Sequence, residues 1–175
     1  MNQAAQDTPS AAGYDALTGA IAELGVTLAA GLPDDWVAPL INRLEAHPAV
    51  RMLRVAREPE AIAIASGAFF GGVKSVAVMG ATGFLACISE LTTLNLKHQV
   101  PLLLIVSERG SVDDPQVFQE LQGRITYPVC EALGIPTLLI DSIADIRRLP
   151  AAFGASRLHK RPYVVFLSRR FVKGA

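Results

Sequence analysis

The chain has 175 residues, 51% of them apolar and 18% charged, with a mean hydropathy of +0.35. That suffices for one α/β domain with a sizeable core and excludes a disordered chain. Lys plus Arg and Asp plus Glu number 16 each, giving zero net charge, so no global field favours nucleic acid or an anionic membrane.

The first dozen residues are small and polar and lack the basic start and apolar centre of a secretory leader. They are expected to form a disordered arm over 1–12, with the domain running over 13–171. Residues 14–24 carry helical spacing (Leu17, Ile21, Leu24) and meet Gly25, a helix stop. Residues 26–30 read as a short strand ending in Gly31-Leu32-Pro33. Asp34 is expected to cap a helix to about residue 45, with Trp36, Leu40, Ile41 and Leu44 on one face. A strand over 52–55 precedes an Ala/Ile-rich helix over 58–72. Residues 75–79 form a strand, 80–83 a turn and 84–96 a helix. The run 101–106 is continuously apolar, the pattern of a strand covered on both faces.

Residues 108–122 are polar and irregular, too long for a plain connector, and read as a functional loop with a short helix. A helix over 126–133 stops at Gly134, and 137–140 is a strand. Asp141 is expected to cap a last helix to about residue 158, bent at Pro150. Residues 163–167 close the sheet. Six strands alternating with helices predict an α/β fold: a single, doubly wound domain whose six-stranded parallel sheet is flanked by helices. The longest apolar runs, 61–73 and 75–89, are broken by Lys74 and studded with glycine, so no membrane span is expected. Cys87 and Cys130 read as reduced core thiols of a cytoplasmic protein, and no residue cluster has metal-ligand spacing.

In such sheets a ligand sits beyond the carboxyl ends of the strands. The residues there are 31–35, 57–60, 80–84 and 107–110. A dinucleotide site needs G-x-G-x-x-G after the first strand, but Pro33 removes a backbone N–H from that loop. G-x-S-x-G is absent, and His47, His98 and His159 fall in structural or exposed contexts. Glu58 is the informative residue. It opens an apolar helix immediately after a strand. One reading is a simple N-terminal charge on the helix dipole. The other is a carboxyl group held in a dry site, where desolvation favours the protonated form and suits it to exchange a proton with a cofactor nitrogen.

Gly31-Leu32-Pro33-Asp34-Asp35-Trp36-Val37-Ala38-Pro39-Leu40-Ile41 resembles the opening motif of phosphonopyruvate and sulfopyruvate decarboxylases. Glu58, with Ala61, Ala65, Ser66 and Gly67 behind it, is similar to their E-x-x-A-x-x-x-A-x-G helix. The apolar strand ending in Ser107-Glu108-Arg109-Gly110 resembles theirs. So do Asp113-Asp114-Pro115-Gln116, Gly123-Arg124-Ile125-Thr126 and Leu133-Gly134-Ile135-Pro136. The similarity runs over about 16–167.

That family binds thiamine diphosphate between a pyrimidine-binding (PYR) domain and a diphosphate-binding (PP) domain. The PP domain holds Mg²⁺ through a Gly-Asp-Gly motif. This chain is similar to the PYR domain alone, and it contains no Gly-Asp-Gly. The resemblance therefore implies the PYR subunit of a two-subunit lyase. A separate PP-domain (beta) subunit would supply Mg²⁺, in a hetero-oligomer such as a heterotetramer or larger, acting on a small 2-oxo acid. By its match to the family's glutamate, Glu58 is the expected catalytic residue, bonded to N1′ of the aminopyrimidine. Pro33, Thr82 and Gly83 are expected beside the same ring, and Asp35, Phe84 and Arg109 beside the substrate. The similar decarboxylases read Q-N-S-G where this chain has Gly80-Ala81-Thr82-Gly83. The missing amides are expected to leave space for a bulkier substrate or a carboligation. A regulatory or scaffold subunit of the same fold is the non-catalytic alternative.

Overall fold

The computed structural model describes residues 11–111 and 114–174. Its six strands are β1 (Leu28–Gly31), β2 (Arg51–Arg54), β3 (Ser75–Met79), β4 (Leu102–Ser107), β5 (Thr137–Ile140) and β6 (Pro162–Leu167). They form one parallel sheet in the order β2-β1-β3-β4-β6-β5. Every residue of β3 and β4 is buried, as their unbroken apolar runs predict for central strands with helices on both faces. Helices α1 (Ala11–Glu23), α2 (Ala38–Ala46) and α3 (Glu58–Phe70) alternate with the first three strands. The order reverses between β1 and β3, because the chain leaves β1 toward β2 but leaves β3 toward β4. That reversal opens a crevice at the carboxyl ends of β1 and β3.

The sheet separates two cores. One packs α1, α2 and the later helix α7 (Leu149–His159) with large side chains: Tyr14, Leu17, Ile21, Leu40, Ile41, Leu44 and Phe153. The other carries the small residues Ala30, Ala61, Ala65, Ala77 and Ala81 among larger ones such as Ile62, Phe84, Leu104 and Phe166. Small side chains let α3 approach the sheet closely. Buried polar atoms pin the approach: Ser75 Oγ donates to Ala65 O at 2.7 Å, and Asn95 Nδ2 to Ser66 Oγ at 2.8 Å.

Several expected boundaries shift for local reasons. The arm expected over 1–12 lies outside the described residues except for Ala11 and Ala12, which already belong to α1. Asp34 caps a turn rather than α2 itself: its Oδ1 accepts from Trp36 N at 2.9 Å and Val37 N at 2.8 Å, while α2 starts at Ala38 with Pro39 in its first turn. The expected turn at 80–83 is the entry to α4 (Ala81–Ala86). The helix expected over 84–96 is interrupted at Cys87. It continues as α5 (Ile88–Glu90) and then as a π-helix over Leu91–Leu96. There Thr92 and Thr93 hydroxyls donate back to the Ile88 and Ser89 carbonyls at 2.7–2.9 Å, competing with the regular ladder.

The polar stretch at 108–122 contains a 3₁₀ turn (Val117–Gln119), and α6 (Glu120–Ala132) begins inside it. Ser142, not Asp141, caps the 3₁₀ turn Ile143–Arg148, through a capping box with Asp145. Pro150 stands in the first turn of α7, where it bends nothing. A short α8 (Arg169–Lys173) follows β6, so α7 is not the last helix. No helix among the described residues is long and apolar enough to cross a membrane.

Candidate functional site

The β1–β3 crevice is built from three strand ends. The chain leaves β1 through Leu32, whose N–H donates to Val78 O at 3.2 Å, and Val55 N donates to Gly31 O at 3.1 Å. The loop after β1 thus lies between the exits of β2 and β3. Gly31 is required there: a Cβ would collide with the Val78 carbonyl. Pro33 and Asp35 are exposed on this loop.

Glu58 is the first residue of α3, with Pro59 behind it. The N-terminal charge role falls to its neighbour. Glu60 Oε2 accepts from Ala56 N at 3.0 Å, closing the backbone at the helix start. Glu58 is half-buried and accepts no hydrogen bond among the described residues. Its side chain lies on Gly83, in the first turn of α4. A Cβ at Gly83 would stand 2.5 Å from Glu58 Oε1 and 2.6 Å from Cδ. Glycine is therefore needed for the carboxylate to rest there. Cys87, one turn further along, is pushed up to about 12 by burial, with the Glu58 and Glu90 carboxylates adding to the shift. It is an inert core thiol.

Thr82 is exposed and Gly83 buried. Glu58 and Gly83 are thus in contact, while Pro33 and Thr82 stand exposed, on the loop after β1 and at the start of α4, at the same carboxyl edge of the sheet. Of the three residues expected at the substrate, two are buried. Asp35 is exposed and accepts from Gln116 Nε2. Phe84 is 0% exposed, inside the small-residue core. Arg109 is 3% exposed and turned into its own loop. Its Nε donates to Gln119 Oε1 at 2.9 Å, its Nη2 to Gln116 Oε1, and its guanidinium stacks 4.2 Å from the Trp36 ring centre. Asp114 lies 3.8 Å from its Nε, both side chains buried.

The space expected beside Gly80 and Ala81 does not exist. A Cβ at Gly80 would stand 2.5 Å from Asp34 Oδ2, so the Asp34 carboxylate fills that volume. Ala81 is 1% exposed and belongs to the small-residue core. Absent amides at these positions therefore leave no room for a larger substrate, and the reason for expecting a carboligation falls with them.

The sequence places Ser107 and Gln116 in motifs but assigns neither a partner. Ser107 Oγ donates to Asp34 Oδ2 at 2.7 Å, across 73 positions of chain, and Gln116 Nε2 donates to Asp35.

The model of the thiamine pyrophosphate enzyme N-terminal TPP binding domain matches residues 11–125. The chain belongs to this family. A phosphonopyruvate decarboxylase of Streptomyces viridochromogenes, whose sequence is 35% identical over 161 residues, aligns with 89% of this chain. The chain spans 40% of that relative's own length. The sulfopyruvate decarboxylase subunit alpha of Methanococcus maripaludis is 28% identical over 70% of this chain and 73% of its own. That of Methanocaldococcus jannaschii is 25% identical, over 87% and 89%. Among solved structures, a 2-oxoglutarate:ferredoxin oxidoreductase of Magnetococcus marinus superposes with a TM-score of 0.66 at 16% identity. It covers 91% of this chain and 29% of its own, which shows that this thiamine pyrophosphate enzyme domain has the same fold.

Proposed function

We propose that this chain is the PYR subunit of a thiamine-diphosphate-dependent 2-oxo acid decarboxylase, with Glu58 as the residue that engages the cofactor's aminopyrimidine. The observation that carries the reading is the Glu58–Gly83 contact. A carboxylate that accepts no hydrogen bond among the described residues rests on a glycine whose missing Cβ makes its place. It stands at the strand ends where this fold class binds ligands. Family membership supports the cofactor. Relatives named as decarboxylases support the reaction, and those named as subunit alpha support a separate partner.

The residues present fit the pyrimidine end of the cofactor. Pro33 and Thr82 are exposed on the flanking segments, Gly83 leaves its Cβ space to Glu58, and Glu58 could offer a carboxyl oxygen to a ring nitrogen. When bound, thiamine diphosphate supplies the electron sink for the carbon–carbon bond that decarboxylation breaks. Glu58 would hydrogen-bond the ring nitrogen N1′, and Gly83, by lacking a Cβ, would leave its carboxyl group the room to do so. No group of three His, Cys, Asp or Glu among the described residues could hold a metal ion; the proposal places Mg²⁺ and the diphosphate on the partner. Asp35, on the exposed loop, is the residue of this chain set to face a small 2-oxo acid. Phe84 and Arg109 act behind the surface, Phe84 within α4 and Arg109 against Gln116, Gln119 and Trp36.

The test is Glu58→Gln in the complex of this chain with its PP-domain partner. The amide keeps the shape and abolishes proton exchange. Turnover of a 2-oxo acid is expected to fall by about 10²–10⁴, the range of general acid–base contributions. Undiminished turnover would overturn the assignment.

A further inference from the structure

Asp34 joins three strand exits with one side chain. Its Oδ1 accepts from Trp36 N at 2.9 Å and Val37 N at 2.8 Å, fixing the loop after β1 just beyond Pro33. Its Oδ2 accepts from Ser107 Oγ at 2.7 Å, at the carboxyl end of β4. Between the two, the carboxylate lies against Gly80, where the chain leaves β3 and turns into α4. Ser107 is 0% exposed, so it is a fixed anchor rather than a mobile surface hydroxyl. Asp34 Cγ would lie 3.1 Å from a Cβ at Gly80. Gly80 has φ −78° and ψ 166°, values open to any residue. Glycine is required here by the carboxylate, not by the backbone.

The consequence is geometric. The loop after β1 carries Pro33, and α4 carries Thr82 and Gly83, on which Glu58 rests. Asp34 touches the start of both segments and is tethered to the sheet through Ser107. We infer that Asp34, anchored by Ser107, is a positioning residue that sets the spacing between the Pro33 wall and the Gly83–Glu58 wall of the crevice. It acts through those loops and touches no reacting atom. Bound groups tolerate displacements of well under 1 Å before affinity and rate suffer, so a slack crevice weakens the hold on a planar ring. This inference rests on the reading of the crevice as the pyrimidine site.

The experiment uses the complex with the PP-domain partner and titrates thiamine diphosphate calorimetrically, so that it reads binding apart from turnover. Ser107→Ala removes the anchor with little change of volume. It is expected to weaken thiamine diphosphate binding about tenfold, the effect of one lost charge-assisted hydrogen bond. Asp34→Ala is expected to weaken binding by at least as much. Asp34→Asn is the rescue. Its Oδ1 still accepts from Trp36 and Val37 N–H, and its Nδ2 donates to Ser107 Oγ, so binding is expected within about threefold of the parent protein. A role confined to stability would lower the melting temperature of Ser107→Ala while leaving the cofactor's affinity for the folded complex unchanged, and that result overturns the inference.

Glu58→Gln measured in parallel separates the two claims. If it abolishes turnover while Ser107→Ala and Asp34→Ala bind cofactor like the parent, the positioning role fails and the site stands. If Glu58→Gln leaves turnover intact, the site reading fails and the inference with it.

Discussion

At the β1–β3 end of the carboxyl edge, Glu58 accepts no hydrogen bond among the described residues, and Pro33 and Thr82 are exposed on neighbouring segments. At the β4 end, Arg109 is 3% exposed, stacked on Trp36 and bonded to Gln116 and Gln119. Both regions are loops beyond parallel strands, and both carry a charged side chain that sequence reading singled out. A buried charge must find its partners inside the chain, because desolvation without compensation is prohibitive. Arg109 meets Gln116, Gln119, Asp114 and the Trp36 ring, while its Nη1 is buried without a hydrogen-bond partner among the described residues. A half-buried carboxylate keeps access to water or to a ligand, so it can remain uncommitted. The contrast separates a structural charge from a chemical one by its surroundings rather than by its residue type.

The sharpest way to break this contrast is to put a methyl group under Glu58. Gly83→Ala places a Cβ 2.5 Å from Glu58 Oε1, so the carboxylate must leave its seat. Turnover of the complex is expected to fall about a hundredfold through misplacement alone. Circular dichroism should show the fold retained, since the displaced group is the end of a movable side chain.

The opposite result is expected at the other end. Arg109→Ala removes the partner of Asp114 and the ring contact to Trp36, and should cost about 3 kcal/mol of stability. The check is a lower urea midpoint at unchanged slope. Arg109→Lys should recover little of it, because an ammonium cannot reach Gln116 and Gln119 together while lying flat on Trp36. A stable Arg109→Ala chain that loses only turnover would reverse the comparison and return Arg109 to the substrate.

The smallest effect concerns Glu108, beside Arg109 in sequence. Burial pushes its carboxyl up from the ordinary 4.5, while the hydrogen bond from Tyr127 at 2.9 Å pulls it back. The folded state therefore holds this proton more tightly than the unfolded chain. Its contribution is full below 4.5 and is lost as pH rises through the higher folded value. Glu108→Gln should remove that slope. The stability difference between the variant and the parent is then expected to grow in the variant's favour as pH rises from 4.5 into the neutral range. Paired denaturation curves across that range check it.

Much of the fold was legible because its signals are local. Residues 75–79 and 137–140 were read as strands with the bounds the structure gives them, since continuous apolar runs between turn residues leave little choice. Gly25, at φ +76°, ends α1 as its position predicts. The boundaries that moved did so where a side chain competes with the backbone, as Thr92 and Thr93 do in the π-helix, or where a proline restarts a helix, as at Pro150. In the candidate site, the placement of Pro33, Glu58, Thr82 and Gly83 at strand ends was legible from the doubly wound sheet, whereas the contact of Glu58 with Gly83 was not. The burial of Phe84 and Arg109 was not, because neither residue type announces which way its loop will turn it.

The order of apolar runs and the small-residue helix behind Glu58 were determined along the chain itself, by steric or hydrophobic terms that act within a few residues. The need for glycine at 80 and 83 came instead from Asp34 and Glu58, brought there by the fold. Which carboxylate stays open and which becomes mortar was decided only by packing. Asp34 meets Ser107 across 73 positions, and Gln116 meets Asp35 across 81. Hydrogen bonds of that span depend on where the sheet delivers its strand ends, a property of the folded whole that no local pattern encodes.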